Sequence, residues 1–345
     1  MRIYTLSSPR GHDAVAPEVP GTWFLAASPE EAVAGCRLLA AQDLEAYARY
    51  GAPLPVSPGE VVLPSWQEGG PAIFAEDFVP LATDQVRAVV RRIDEVRHEL
   101  RELLTRLPEE AWSLNRPGKW SVRTLVDHVA NSQWLIAQAL DDWPPTPEEA
   151  HASAMEELLA AVEPWVEAPE QPRTDHFGHN SENGRVRWTP RKVLRVVATM
   201  QVAWREHLRS GAPAPTFPLA HEDLPEDAAP PSPAEVDAVA ENAVDLSASA
   251  DPKALGVLAR RYRYYARRLH VWPEGVLERW DATWEHSKAL FLASSAADLA
   301  RVRVDPSGSL TTVRQALSLS LGHLREHAGH VRRTLALNGV AVGVG

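Results

Sequence analysis

The sequence predicts a mainly α protein: a small α+β domain at the N-terminus, then four-helix bundles, two of them in tandem. Three observations carry this. Residues 1–75 alternate short β-prone runs with one well-capped helix. From residue 82 onward, apolar residues recur at three- and four-residue steps, the period of an amphipathic helix. The helical part also falls into two sets of four, and the last helix of each set echoes the other.

In residues 1–75 the runs RIYTLSS, HDAVAPEVPG, TWFLAAS and GEVVLPSW read as strands. Between the third and fourth, Ser28 precedes Pro29-Glu30-Glu31: a cap, a proline at the first helical position and acids in the first turn. The helix it opens ends at Gly51 and carries Cys36 among apolar neighbours, as a buried structural thiol.

The first predicted bundle spans 82–210. DQVRAVVRRIDEVRHELRELLTRL stops at Pro108. SVRTLVDHVANSQWLIAQALDDW starts at a Ser121 cap, TPEEAHASAMEELLAAVEPWV at a Thr146 cap, and the fourth helix opens at Thr189-Pro190, after a loop over 169–187. Residues 211–233 hold seven prolines and no Lys or Arg, which reads as an acidic Pro-rich linker. Residues 234–340 hold four more helical patterns and read as a second, divergent bundle. Shifting the fourth helix by 123 positions pairs Thr189 with Thr312, Arg191 with Arg314, Leu194 with Leu317 and His207 with His330, the sign of a tandem duplication.

Composition narrows the function. A chain of 345 residues exceeds one compact core. No long uninterrupted apolar stretch appears and the start lacks a signal-peptide core, so a cytoplasmic protein without membrane attachment is expected. The net charge of −11 argues against nucleic acid as a partner, although ARRYRYYARRL (259–269) interleaves arginines with tyrosines. A single cysteine excludes an internal disulfide framework and a Cys-rich zinc site, so any metal must be held by histidine and carboxylate.

The sharpest chemical signal is His323 and His327, one helical turn apart in LSLSLGHLREHAGHVRRTL. Residues at i and i+4 share a helix face, so both imidazoles can point at one ion. The 123-residue shift sets Met200 opposite His323 and Trp204 opposite His327, as if one copy kept the ligands and the other filled their places with apolar bulk. A third histidine from a facing helix would complete a three-nitrogen site suited to zinc, nickel or a similar ion. The competing readings are exposed histidines on the helix bearing Arg325 and Glu326, and packing or hydrogen-bonding roles for His207 and His330. His176 and His179 could form a separate H-x2-H site.

Two resemblances add to this. The residues Pro17-Glu18-Val19-Pro20-Gly21, Ser28, Glu30-Glu31-Ala32 and Gly51-Ala52-Pro53-Leu54-Pro55 resemble the HicB-like domain, often an antitoxin or accessory module, which implies partner binding rather than catalysis. The motif Trp120-Ser121-Val122-Arg123 followed by His128, together with GRVRWTPRKVL (184–194) and the H-x3-H of His323 and His327, resembles the DinB-like superfamily. That resemblance implies a four-helix bundle whose metal ligands are His128, His323 and His327. It also implies a divalent cofactor, a transferase, isomerase or hydrolase activity with a small-molecule thiol as one substrate class, and in many members a homodimer. No catalytic residue beyond the ligands is assigned. The alternative is a non-catalytic binding or scaffold protein of the same fold with a degenerate metal site.

The two expectations conflict. With contiguous bundles, His128 faces Met200 and Trp204, while His323 and His327 face the neighbourhood of Arg260, Arg261 and Tyr262. A complete triad requires the halves to interleave, with the second helix of one set packing against the fourth helix of the other.

Overall fold

The computed structural model describes residues 1–8, 11–56, 61–64, 74–172, 174–177, 185–212, 214, 215 and 229–340. The N-terminal part holds strands β1 (Arg2–Ser8), β2 (Gly11–Val15) and β3 (Trp23–Ala26), helix α1 (Pro29–Arg49) and strand β4 (Val61–Pro64). The sheet order is β3-β2-β1-β4. β1 runs antiparallel to β2, pairing Tyr4 with Val15, and parallel to β4, pairing Ile3 with Val62. Ser28 caps α1 through its side chain at 3.2 Å from the Glu31 amide, as its sequence position predicts. Ile3, Ala14, Ala32, Val33 and Cys36 form the core between sheet and helix.

The rest is helical: α2 (Thr83–Thr105), α3 (Val122–Gln138), α4 (Pro147–Val162), α5 (Pro190–Ser210), α6 (Pro233–Ser249), α7 (Pro252–Arg267), α8 (Val276–Ala293), the short α9 (Ala296–Ala300) and α10 (Val313–Leu337). Among the described residues no helix is long and apolar enough to cross a membrane. Where a loop is expected at 169–187, strands β5 (Thr174–Phe177) and β6 (Arg185–Trp188) pair as an antiparallel hairpin. Their four-residue length and mixed polarity give no alternation long enough to stand out in the sequence. The two-residue strands β7 (Arg303–Val304) and β8 (Leu310–Thr311) leave no sequence signal for the same reason. Most of the proline-rich 211–233 segment lies outside the described residues.

The compact units do not follow the contiguous spans 82–210 and 234–340. One comprises Met1–Asp141, Trp280–Arg303 and Thr311–Gly345; the other comprises Asp142–Arg279 and Val304–Leu310. The first therefore unites the N-terminal sheet with α2, α3, α8 and α10, and the second is built from α4, α5, α6 and α7. Helix periodicity says which face of each helix is buried but not which partner buries it, and the short connections α3–α4 and α7–α8 permit either grouping.

In the first unit a polar seam fixes α8 on α2 and α3. Gln133 accepts from Arg97 Nη1 at 2.8 Å and from Trp280 Nε1 at 3.1 Å, and Ser287 donates to the Gln133 carbonyl at 3.2 Å. The Arg97 guanidinium lies 4.1 Å from the Trp280 ring centre, and Trp284 Nε1 donates to Asp94 at 2.7 Å. Buried donors and acceptors thus find one another across three helices, as buried polar groups must.

The N-terminal domain is locked onto α10. Arg314 donates to the carbonyls of Pro17 (3.0 Å), Glu18 (2.7 Å) and Val79 (3.2 Å), and Thr312 Oγ1 donates to the Asp77 carbonyl at 2.7 Å. The turn Pro20-Gly21-Thr22-Trp23 seats directly on the helix. Gly21 has φ +76°, and a Cβ there would sit 2.5 Å from the Leu321 side chain. A Cβ on Gly322 would sit 2.6 Å from the Trp23 ring. Gly322→Ala is therefore expected to push Trp23 off α10 and destabilise the unit by about 1–3 kcal/mol, the usual range for overpacking. An unchanged urea midpoint would show that the ring swings away at no cost.

In the second unit Met155, Leu158, Trp188, Val197, Leu246, Tyr262 and Tyr265 are core residues. Gln201 donates to the Val239 carbonyl at 3.0 Å and to the Tyr262 hydroxyl at 3.1 Å, while Arg263 reaches Glu157 at 2.8 Å and lies 3.5 Å from the Trp143 ring centre. Tyr262 and Tyr265 of the Arg/Tyr-rich helix are thus packing residues rather than an outward-facing stacking surface.

Candidate metal centre

His128 comes from α3, seven residues after its Ser121 cap; His323 and His327 come from α10. The first unit brings them together, because it contains the second helix of one set and the fourth of the other. His128 Nε2 lies 2.9 Å from His323 Nε2, and His327 Nε2 lies 3.0 Å from the same atom. One ring nitrogen from each of the three falls within 4.8 Å of the others. His128 and His327 are buried. The reading of His323 and His327 as exposed surface residues is thereby corrected, since each is turned inward against α3.

The donor set fits a metal ion. A neutral imidazole nitrogen offers either one proton or one lone pair, so His323 Nε2 cannot serve both neighbours well as a hydrogen-bond partner. A single cation at the crossing point satisfies all three lone pairs. With metal–nitrogen bonds of about 2.0–2.1 Å, the spacing of His323 Nε2 from each of its two neighbours, 2.9 and 3.0 Å, suits donors to one ion.

Electrostatics favours the ligating form. Burial lowers the His323 pKa to about 4, assisted by His330. Burial also holds His327 far below the ordinary imidazole value, with His323, His128 and His330 adding to the effect. Both rings are therefore neutral near pH 7. Because the folded values lie below the unfolded value of about 6.5, the unfolded chain takes up protons first as pH falls. The metal-free protein is thus expected to lose stability progressively from about pH 6.5 down towards pH 4. Urea midpoints at about pH 7.5 and pH 5 check this, and equal midpoints would contradict the burial of these rings.

Surrounding residues hold the ligands. His330 Nδ1 lies 3.4 Å from His327 Nδ1, placing a hydrogen-bonding group behind the ligand and favouring an Nε2 lone pair facing the others. His330 thus has the hydrogen-bonding role that its position suggests, while its counterpart by the 123-residue shift, His207, bonds the Ala212 carbonyl. Trp120, from the motif ahead of α3, packs against His128 (ring centres 5.0 Å apart) and stacks over His327 (6.5 Å, 23° between planes), walling one side of the centre.

Between the two ligands on α10, Arg325 points away from them to Asp43 of α1, at 2.7 Å and 2.5 Å, and to the Gly21 carbonyl at 3.2 Å. Asp43 is fully buried and also accepts from Arg92 Nε at 3.0 Å and Thr22 at 3.2 Å. Sequence reasoning misses it: an Asp in the middle of an amphipathic helix reads as a surface residue, and its partners lie far away in the chain.

Residues 92–171 match the DinB superfamily. The matched stretch runs from α2 through α3, which supplies His128, and on through α4, so it passes from one compact unit into the other at Asp141–Asp142. No curated protein and no solved structure matches the chain.

The second unit has no such centre among its described residues. Asp251 caps α7 as Ser121 caps α3, and Leu258 stands seven residues after that cap, the offset of His128 from Ser121. Leu258 is buried in one apolar cluster with Met200 and Trp204 of α5, the residues that the 123-residue shift sets opposite His323 and His327. Of the H-x2-H pair, His176 stands on β5 and His179 lies outside the described residues.

Proposed function

We propose that this chain is a metal-dependent enzyme of the DinB kind, holding one zinc or nickel ion on His128, His323 and His327. The observation that carries the reading is the convergence of three imidazoles from two helices whose sequence positions lie nearly two hundred residues apart. Such an ion acts as a Lewis acid, able to activate a water or a small-molecule thiol near neutral pH. The residues of the chain then have defined tasks. His330 orients His327, Trp120 excludes water from one side, and the pairing of Arg325 with Asp43 holds α10 against the N-terminal domain.

The reaction class that fits is thiol-dependent transfer or isomerisation, or hydrolysis. It is tested by assaying zinc- and nickel-loaded protein with low-molecular-weight thiols and electrophiles, and with ester and amide substrates, beside the His323→Ala variant. Turnover by the loaded protein and none by the variant is the expected outcome.

We further propose that the two sets of four helices arose by tandem duplication and exchanged helix pairs, so that one site kept its ligands and the other lost them. Its support is the matching caps and the substituted positions Leu258, Met200 and Trp204. The filled second site also motivates the competing role, a binding or scaffold protein built on a HicB-like domain with a homodimer as its assembled form. That role is favoured if the loaded protein turns over no substrate. The duplication predicts one metal per chain rather than two.

A further inference from the structure

A cavity of about 380 Å³ lies within the first unit, between the N-terminal sheet and α10, and reaches His323. Its size falls in the range of small-molecule sites, and most of its surface is apolar. The N-terminal part supplies Val15, Val19, Trp23 and Phe74. On the other side, Gln315, Leu319 and His323 recur at every fourth position of α10, so they share one helix face, and all three line the cavity.

Gln315 marks the end of that line away from the three histidines. It is only 7% exposed, yet it lines the cavity. Its backbone amide donates to Thr312 Oγ1 at 3.1 Å, and among the described residues no hydrogen bond engages its carboxamide. Three other polar wall residues are engaged: Thr22 donates to Asp43 at 3.2 Å, Ser318 Oγ accepts from the Gly21 amide at 3.3 Å, and Asp77 accepts from the Phe74 amide at 2.9 Å. A carboxamide carries an acceptor oxygen and an NH₂ donor side by side. The wall thus offers a ligand one neutral group with both functions. From Gln315 to His323 the helix advances about 12 Å, at about 1.5 Å per residue.

We propose that this cavity binds an elongated small molecule with an apolar body and a carboxamide at one end, the carboxamide paired with Gln315 and the other end at His323. The inference rests on the metal-centre reading only for what happens at the His323 end; occupancy of the cavity stands apart from it. Two carboxamides pair reciprocally, each N–H donating to the other's carbonyl, which a group that only accepts cannot match. The apolar walls suit the body between the two ends. Gln315 then determines specificity, because it fixes which group sits about 12 Å along the helix from the reacting end. The N-terminal domain shares in the selection, since its Val19, Trp23 and Phe74 close the cavity over α10.

The test is calorimetry on the full, metal-free chain with paired probes: phenylalkanamides with tethers of increasing length, and the matched methyl ketones, in which a methyl group replaces the NH₂. At least one amide is expected to bind about five- to a hundredfold more tightly than its ketone, the range for two neutral hydrogen bonds. In Gln315→Leu, folded by thermal unfolding, amide and ketone are expected to bind alike, at the level of the ketone in the parent. Leu319→Trp, which fills the cavity, is expected to abolish binding of both. Binding of no amide, equal binding of amide and ketone by the parent, or a preference for the amide that persists in Gln315→Leu would each overturn the proposal, and the parent comparison decides even where a variant fails to fold. The orientation is read with mercaptoalkanamides on cobalt(II)-loaded protein. A sulfur–cobalt charge-transfer band whose probe affinity peaks at one tether length is expected, and a loaded protein that shows no such band with any tether overturns the placement of the far end at His323. A chain that takes up no cobalt defeats the metal reading while the metal-free titration still decides the cavity.

Discussion

His327→Ala is expected to reduce bound metal from about one equivalent per chain to none, and His323→Ala to do the same. Either substitution leaves two imidazoles, and a site of two nitrogen donors holds a divalent ion far more weakly than the three or four protein ligands of ordinary zinc sites. His323 is the more telling position, because its Nε2 is the atom that both other ligands approach. Its removal relieves the burial of a polar ring, so metal-free His323→Ala should be as stable as the metal-free parent or more so. The signature thus differs between the two states: lost metal and lost metal-dependent stabilisation, with no loss of intrinsic stability. Mass spectrometry of dialysed protein together with urea unfolding in chelator measures both. Retention of a full equivalent of metal by either variant would mean that the ion, if present, sits elsewhere.

Asp43→Ala carries the second large effect. Asp43 is fully buried and receives four hydrogen bonds from Thr22, Arg92 and Arg325, the last through both terminal nitrogens. Removing the carboxylate strands two largely buried guanidinium groups, and breaking a buried ion pair in this way costs about 3–5 kcal/mol. Arg92 retains Glu95 at 3.0 Å and Arg325 retains the Gly21 carbonyl, which favours the lower end of that range. Because Arg325 lies between His323 and His327, the same change should loosen the ligand-bearing turn of α10 and weaken metal affinity together with stability. Chemical unfolding followed by metal titration of the folded fraction separates the two. A loss below about 1 kcal/mol would place the pair among ordinary surface salt bridges.

Much of the local structure is legible in the sequence because it depends on neighbours along the chain. Ser28, Ser121, Thr146, Thr189 and Thr312 each cap a helix through the side chain, as serine or threonine just ahead of an amphipathic run predicts. The i, i+4 spacing alone puts His323 and His327 on one helix face. What local patterns do not reveal is the grouping of helices. Whether α3 is paired with α5 or with α10 depends on surfaces far apart in the chain, and each helix shows the same apolar stripe in either arrangement. The split triad is therefore a real conflict between contiguous bundles and a three-histidine cluster, and the interleaved grouping brings the three histidines together. Asp43 and Asp77 leave no sequence signal for a related reason. Their burial comes from contacts with α2 and α10, not from their own helix or turn.

The most direct test of the three-histidine centre is metal stoichiometry with X-ray absorption on protein reconstituted with zinc. One ion per chain, with three imidazole nitrogens at about 2.0–2.1 Å and lighter-atom ligands completing the shell, is the expected result. A chain that binds no zinc or nickel, or binds it with fewer than three imidazoles, would contradict the assignment of His128, His323 and His327.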